Sequence, residues 1–278
     1  MFISTIFLIV SFVPLILLYE NRKPQAREIV MISVMSAFTV VANLICAYTI
    51  PFHAGTAMVI LTGIALGARA GFATGALSRF ICNFFMTQGA WTVWEMLAWG
   101  LLGALAGILF SKVEMIGILD NRSEYKKEAK KTGIQICMIP LVCILVSEVI
   151  GYVLYLLGSN ANESFWGWRI YVFGLIGMLS SLLFRKNKLP VNFITMTVFT
   201  FLSVFVLYGG IMNFAAFTMT QSAYNGGVNA LKMLYITGLP YDIGHALGAA
   251  ICVFFAGESI VRKMERVRIK YGIIKRKY

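Results

Sequence analysis

Long apolar stretches separated by short clusters of charge set the pattern of this chain. A bilayer crossing needs about 20 mostly apolar residues. The sequence offers nine such stretches, at 2–19, 29–50, 56–67, 71–86, 92–110, 133–157, 168–184, 191–212 and 241–257. The third and fourth are short and share a tight turn at 68–70. Glycines recur at four-residue steps at Gly63, Gly67, Gly71 and Gly75, and again at Gly100, Gly103 and Gly107. Ser33 and Ala37 form a similar small pair in the second stretch. This spacing lets membrane helices approach closely, either inside the bundle or against another membrane protein.

Composition strengthens the membrane reading. Of 278 residues, 59% are apolar and 13% charged, against roughly 45–50% and 25% in soluble domains. A soluble fold could not hide that much apolar surface. Two Asp (Asp120, Asp242) and two His (His53, His245) leave no material for an Asp-rich metal cluster, an HExxH motif or a multi-His site. The five Cys all lie in apolar runs without a CxxC pair, so neither thiolate metal ligation nor a disulfide framework is expected. The chain lacks a GxxxxGK[ST] loop, a paired-acid prenyl-diphosphate motif and a GxSG serine motif. No cofactor and no catalytic residue is expected; binding or transport remains.

Charge assigns a topology to the spans. Twenty-one of the 24 Lys and Arg residues fall in five segments, 22–27, Arg69, 112–131, 185–188 and 262–277. With nine spans, all five lie on one side, which the positive-inside rule makes cytoplasmic. The expected topology is N-terminus out and C-terminus in, with 2–19 as an uncleaved anchor, since its charges follow rather than precede it. The segment 259–278 carries eight basic residues, with Ile260, Met264 and Val267 at helical spacing. It reads as an amphipathic helix on anionic lipid; no nucleic-acid-reading module accompanies it.

Polar groups inside the apolar runs are the candidate chemistry. Arg79 sits mid-span, where a charge costs about 2.5–3.5 kcal/mol and needs protein, water or a ligand beside it. Glu95 is its nearest acid by depth, so a structural pair and a ligand contact are both open. Glu148 is a second intramembrane acid, on a segment containing Pro140. Amides and aromatics gather toward the outer ends: Asn83, Phe84, Phe85, Gln88, Trp91, Trp94 and Trp99, then Asn213, Tyr241, Asp242 and His245. Interfacial anchoring explains single aromatics, whereas amides, an acid and a His together suggest an outward pocket. Asp242 and His245 share a helix face at i,i+3, although Asp242 could simply cap a helix after Pro240. Residues 214–237 read as a long outer loop and possible lid. A weak repeat relates 100–110 to 174–184.

Several stretches resemble the substrate-binding S component of energy-coupling factor (ECF) vitamin transporters. They are Arg27-Glu28-Ile29-Val30 leading to Ser33 and Ala37, 62–72, Gln88 to Met96 with Trp99-Gly100, Gly210 to Asn213, Asp242 to Ala246, and Lys270 to Gly272. The resemblance implies an all-α, polytopic transmembrane bundle in the cell membrane with a six-span core and an outer substrate pocket. It implies partners as well: a transmembrane T subunit, two cytoplasmic ATPases and a small vitamin ligand, with transport by toppling in the bilayer. Ser33 and Ala37 match the family's T-subunit contact, with Ser where Ala is typical. The expected organisation is an extra N-terminal span at 1–26, core spans in 27–112, an inserted loop and hairpin at 113–189, two core spans in 190–258 and the tail at 259–278. Substrate contacts are expected from Arg79, Asn83, Gln88, Trp91, Trp94, Asn213, Asp242 and His245. The Gln88–Glu95 region looks most like S components for cobalamin or other corrinoids, with riboflavin, thiamine and other small vitamins also open. A self-contained secondary carrier coupled through Glu95 and Glu148 is the competing class.

Overall fold

The computed structural model describes residues 26–49, 53–110, 123–158, 165–184, 189–220 and 227–271. The expected span at 2–19 lies outside the described residues. The order is α1 (Ala26–Thr49), α2 (Ala54–Leu66), α3 (Ala68–Met86), α4 (Trp91–Leu109), α5 (Ser123–Leu157), α6 (Trp168–Phe184), α7 (Phe193–Ser203), a π-helical turn (Val204–Tyr208), α8 (Gly209–Thr220) and α9 (Gly227–Lys270). No β-strand occurs among the described residues; one isolated parallel bridge joins Phe110 to Leu189. Among the described residues, five segments are long and apolar enough to cross a membrane: Ala26–Thr49, Trp91–Leu109, Met138–Leu157, Phe193–Thr220 and Asn229–Lys270. The protein is a helical membrane bundle.

The glycine rows are internal. A Cβ added at Gly63 would fall on the carbonyl of Gly103, and one at Gly75 would lie 2.5 Å from the carbonyl oxygen of Trp99. Thus α2, α3 and α4 touch backbone to backbone, as small residues permit. The helix break between α2 and α3 falls at Gly67, with φ of 99°, rather than across 68–70. Such a φ is open to glycine and strained for most other residues. Around this trio, Ile60, Leu61, Ile64, Leu102, Met196, Phe199 and Val253 form a continuous apolar core.

Several expected boundaries move. The helix of the fifth described element begins at Ser123, ten residues before the apolar run, and continues through Pro140. Within the expected loop 214–237, residues 214–220 and 227–237 are helical: α8 runs to Thr220 and α9 starts at Gly227, and 221–226 lie outside the described residues. Threonine hydroxyls bonded back to carbonyls, Thr218 to Ala215 and Thr237 to Met233, meet part of the polar demand that suggested a loop. Because α9 is continuous, Asp242 lies in its interior and caps nothing. As far as Lys270, the basic tail is the end of the same helix rather than a separate amphipathic one. Val261, Met264, Glu265 and Arg268 are buried against the protein, and the Arg268 guanidinium donates to the Ala65 carbonyl at the end of α2.

Further contacts gather Arg27, Leu109, Leu189, Glu258 and Arg268 at one end of the bundle. Arg27 donates to the Tyr271 carbonyl, Leu189 N–H to the Leu109 carbonyl at 2.8 Å, and Phe193 N–H to Glu258 Oε1 at 3.0 Å. The opposite end is formed by the C-termini of α1 and α3, the N-termini of α2 and α4, the π turn and the middle of α9.

Candidate functional site

At that opposite end lies a cavity of about 470 Å³. The last turns of α1 supply Asn43, Cys46, Ala47, Tyr48 and Thr49; His53 precedes α2; α3 supplies Arg79 and Met86, and α4 Trp99. Tyr208 of the π turn and Tyr241 and His245 of α9 close the ring. The π turn inserts an extra residue into the helical register, a distortion frequent at functional sites, and here it accompanies the placement of Tyr208 on the cavity wall.

Imidazoles and phenols form one wall. The rings of His53 and His245 lie with centroids 3.9 Å apart at 34°. Tyr208 meets His245 edge-on at 4.4 Å, and Tyr241 stands edge-on to His53 at 6.2 Å. His245 is 3% exposed; its Nε2 shares a 2.9 Å hydrogen bond with Thr56 Oγ1, while its buried Nδ1 has no protein partner among the described residues.

The facing wall carries the charge. The Arg79 guanidinium lies 5.2 Å from the Trp99 ring centroid, within cation–π range. Its terminal nitrogen Nη2 is bonded to Glu95 Oε1, while the other carboxylate oxygen accepts from Asn83 Nδ2 at 2.8 Å. Arg79 Nε and Trp99 Nε1 are buried N–H donors with no protein acceptor among the described residues. Three unmatched polar atoms on cavity-lining residues, in a protein where such atoms are normally bonded, suit a ligand with polar atoms on its rim.

Of the eight residues expected to contact substrate, Arg79 and His245 line this cavity. Asn83 lies behind it as a clamp on Glu95. Gln88 closes the α3–α4 turn, donating to the Phe80 carbonyl at 3.2 Å and accepting from Thr92 Oγ1 at 3.0 Å. Trp91 is exposed, and Trp94 is buried edge-on against Phe214 at 5.9 Å. Neither lines this cavity. Asn213 and Asp242 lie together outside the cavity lining: Asp242 Oδ2 accepts from Asn213 Nδ2 at 2.6 Å and from the Tyr171 hydroxyl of α6. Asp242 and His245 share a helix, as expected, but serve different contacts.

The main omissions are Asn43, Tyr48, His53 and Tyr208. The wall of α1 was hidden because its span reads as evenly apolar, and His53 because it stands in a non-periodic connection after Pro51. Trp99 and Tyr241 were visible as members of the outer aromatic clusters. Ser33 and Ala37 are exposed on α1, flanked by exposed Val30, Val34, Phe38 and Val41.

Neither the curated proteins nor the solved structures give a match to this chain. The family described as "ECF-type riboflavin transporter, S component" matches residues 23–156, just under half of the chain, so that over this stretch the chain is similar to the S components of ECF transporters.

Proposed function

We propose that this protein is an ECF S component and that it captures riboflavin, or a flat heteroaromatic vitamin of similar size, in the cavity between α1, α3, α4, the π turn and α9. The observation that carries the reading is the cavity itself. Its volume of about 470 Å³ lies within the range of about 300–1,000 Å³ typical of small-molecule pockets. Its aromatic walls suit a planar ring, and the unmatched Arg79 Nε–H and Trp99 Nε1–H suit carbonyl oxygens at the edge of that ring. The riboflavin name of the matching family supports the same choice. A corrinoid, whose macrocycle is ringed by amide side chains, needs more room than this cavity provides.

The partners follow from the S-component reading. A T subunit and two ATPases would drive uptake, with the exposed Ser33–Ala37 strip of α1 as the T-subunit contact. The basic end of the bundle would be cytoplasmic and the cavity would open outward. Glu95 is held by Arg79 and Asn83, which weakens the ion-coupled carrier reading by engaging one of its two candidate carboxylates.

The test is titration of the purified protein with riboflavin, followed by quenching of flavin fluorescence, with cobalamin and thiamine titrated in parallel. Saturable, one-to-one quenching is expected from riboflavin alone. Tight binding of cobalamin without riboflavin binding would overturn the substrate choice. Failure to co-purify with a T subunit and ATPases would overturn the partner assignment.

A further inference from the structure

We infer that Glu95, which does not line the cavity, sets the charge of the ligand that the cavity accepts. Its buried ion pair with Arg79 makes this a site for the uncharged vitamin rather than for its phosphorylated forms. The inference deepens the flavin reading and rests on it.

Among the described residues, Arg79 is the only lining residue with a permanent charge. A bare guanidinium in such a pocket would recruit a phosphate or carboxylate, because arginine matches planar oxyanions and opposite charge is strongly attractive where water is excluded. Here the charge is already cancelled. Glu95 is 7% exposed and bonds the terminal nitrogen of Arg79 through one oxygen. Asn83 donates to its other oxygen at 2.8 Å and also to Thr92 Oγ1 at 3.0 Å, fixing the carboxylate in place. The second acid of this end, Asp242, adds no positive charge and is engaged by Tyr171 and Asn213.

What the Glu95 contact leaves of Arg79 is the rest of a guanidinium whose charge is already matched, including its buried, unmatched Nε–H, and the Trp99 Nε1–H is a second buried donor without a protein partner among the described residues. These are directional donors of a neutralised ion pair and a neutral ring. They can hold a carbonyl edge, but they cannot repay the desolvation of a phosphate dianion. Glu95 is therefore a positioning and charge-setting residue, acting through Arg79.

The experiment measures the ratio of dissociation constants for flavin mononucleotide and riboflavin across a charge series in the full-length protein. The series comprises wild type, Glu95→Gln, Arg79→Gln and the double variant, each checked for folding by gel filtration and thermal unfolding. Wild type is expected to bind riboflavin at least about tenfold more tightly than the mononucleotide, and Glu95→Gln to move that ratio at least about tenfold toward the mononucleotide. Arg79→Gln moves it the other way, and the double variant returns it toward wild type even where overall affinity is weaker. If Glu95→Gln does not fold, the comparison of wild type, Arg79→Gln and the double variant still reads the sign.

A wild-type preference for the mononucleotide, or one ratio shared by every folded variant, overturns the inference while leaving riboflavin binding intact. Absence of binding to either flavin by wild type overturns the flavin reading itself.

Discussion

His245 has two ring nitrogens with separate engagements. Nε2 is tied to Thr56, which orients the ring against His53 and Tyr208, and Nδ1 is left buried without a protein partner. An unmatched buried polar atom costs about 1–3 kcal/mol, so a ligand that satisfies Nδ1 recovers much of that cost. His245→Ala is expected to weaken riboflavin at least about tenfold, the equivalent of about 1.4 kcal/mol. Trp99→Phe is the finer probe, because it keeps a ring under Arg79 while deleting the indole N–H together with part of a buried bicycle. One neutral hydrogen bond contributes about 1 kcal/mol, so about a fivefold loss of affinity is expected, alongside a lower unfolding temperature from the lost packing. A lower unfolding temperature with unchanged affinity would show that the indole N–H meets no ligand. Scarcity in the sequence singled out Asp242 and His245, and it was half informative. A lone His beside apolar residues and an acid three positions away look alike as letters, yet only the packing of α6 decides that Tyr171 claims the acid. Arg79 and Glu95 were legible as a pair because a mid-span charge demands a partner at the same depth.

The glycine rows show how elements are fixed. Spacing alone left two uses open for Gly63, Gly71 and Gly103, internal packing or external docking, and the backbone contact between α2, α3 and α4 selects the first. Gly103→Ala would drive a methyl group into the Gly71 backbone, and overpacking of this kind costs about 1–3 kcal/mol. Gly244→Ala supplies the control: its Cβ would meet nothing within 4 Å, and alanine in a helix gains up to about 1 kcal/mol over glycine. Thermal unfolding in detergent is expected to fall for Gly103→Ala and to hold or rise for Gly244→Ala. The α6 helix is attached to the core in a different manner. Its Tyr171 hydroxyl reaches Asp242 on α9, its ring stacks on Phe205 of the π turn with centroids 5.2 Å apart, and Tyr235 lies against it at 4.9 Å. Tyr171→Phe removes one of the two donors to a buried carboxylate and is expected to lower the unfolding temperature, with riboflavin affinity following only so far as α9 shifts. The helical course of 214–220 and 227–237 was hidden because glycine, amides and threonine in this stretch resemble loop composition. Likewise, Pro240 looked like a helix start although it lies within α9.

At the scale of the molecule, charge and cavity occupy opposite ends. The crossings that join Arg27 to Tyr271, Arg268 to Ala65 and Phe193 to Glu258 bring the described basic residues Arg27 and Arg268 to one end. A sequence can express that grouping, because these residues belong to runs of charge between apolar spans. It cannot express the cavity, whose walls come from α1, α3, α4, the π turn and α9. The length of α9 adds a constraint. Forty-four residues at 1.5 Å each extend about 66 Å, roughly twice the hydrocarbon thickness of about 30 Å. If the mid-helix His245 lies near the outer face, the last turns, with exposed Lys263, Arg266 and Lys270, lie beyond the inner face among anionic headgroups. Orientation can be measured in a variant whose five cysteines are replaced, carrying one new cysteine at either end. With an impermeant maleimide on intact cells, Tyr48→Cys is expected to label at once and Arg266→Cys only after permeabilisation. Riboflavin should slow labelling at position 48, which lines the cavity, and leave position 266 unaffected. The reverse pattern of access would turn the cavity toward the cytoplasm and remove it as the site of capture from outside. Protection by riboflavin at both positions would instead indicate that ligand binding moves the whole bundle in the bilayer, since α1 and α9 both join the cavity wall to the basic end.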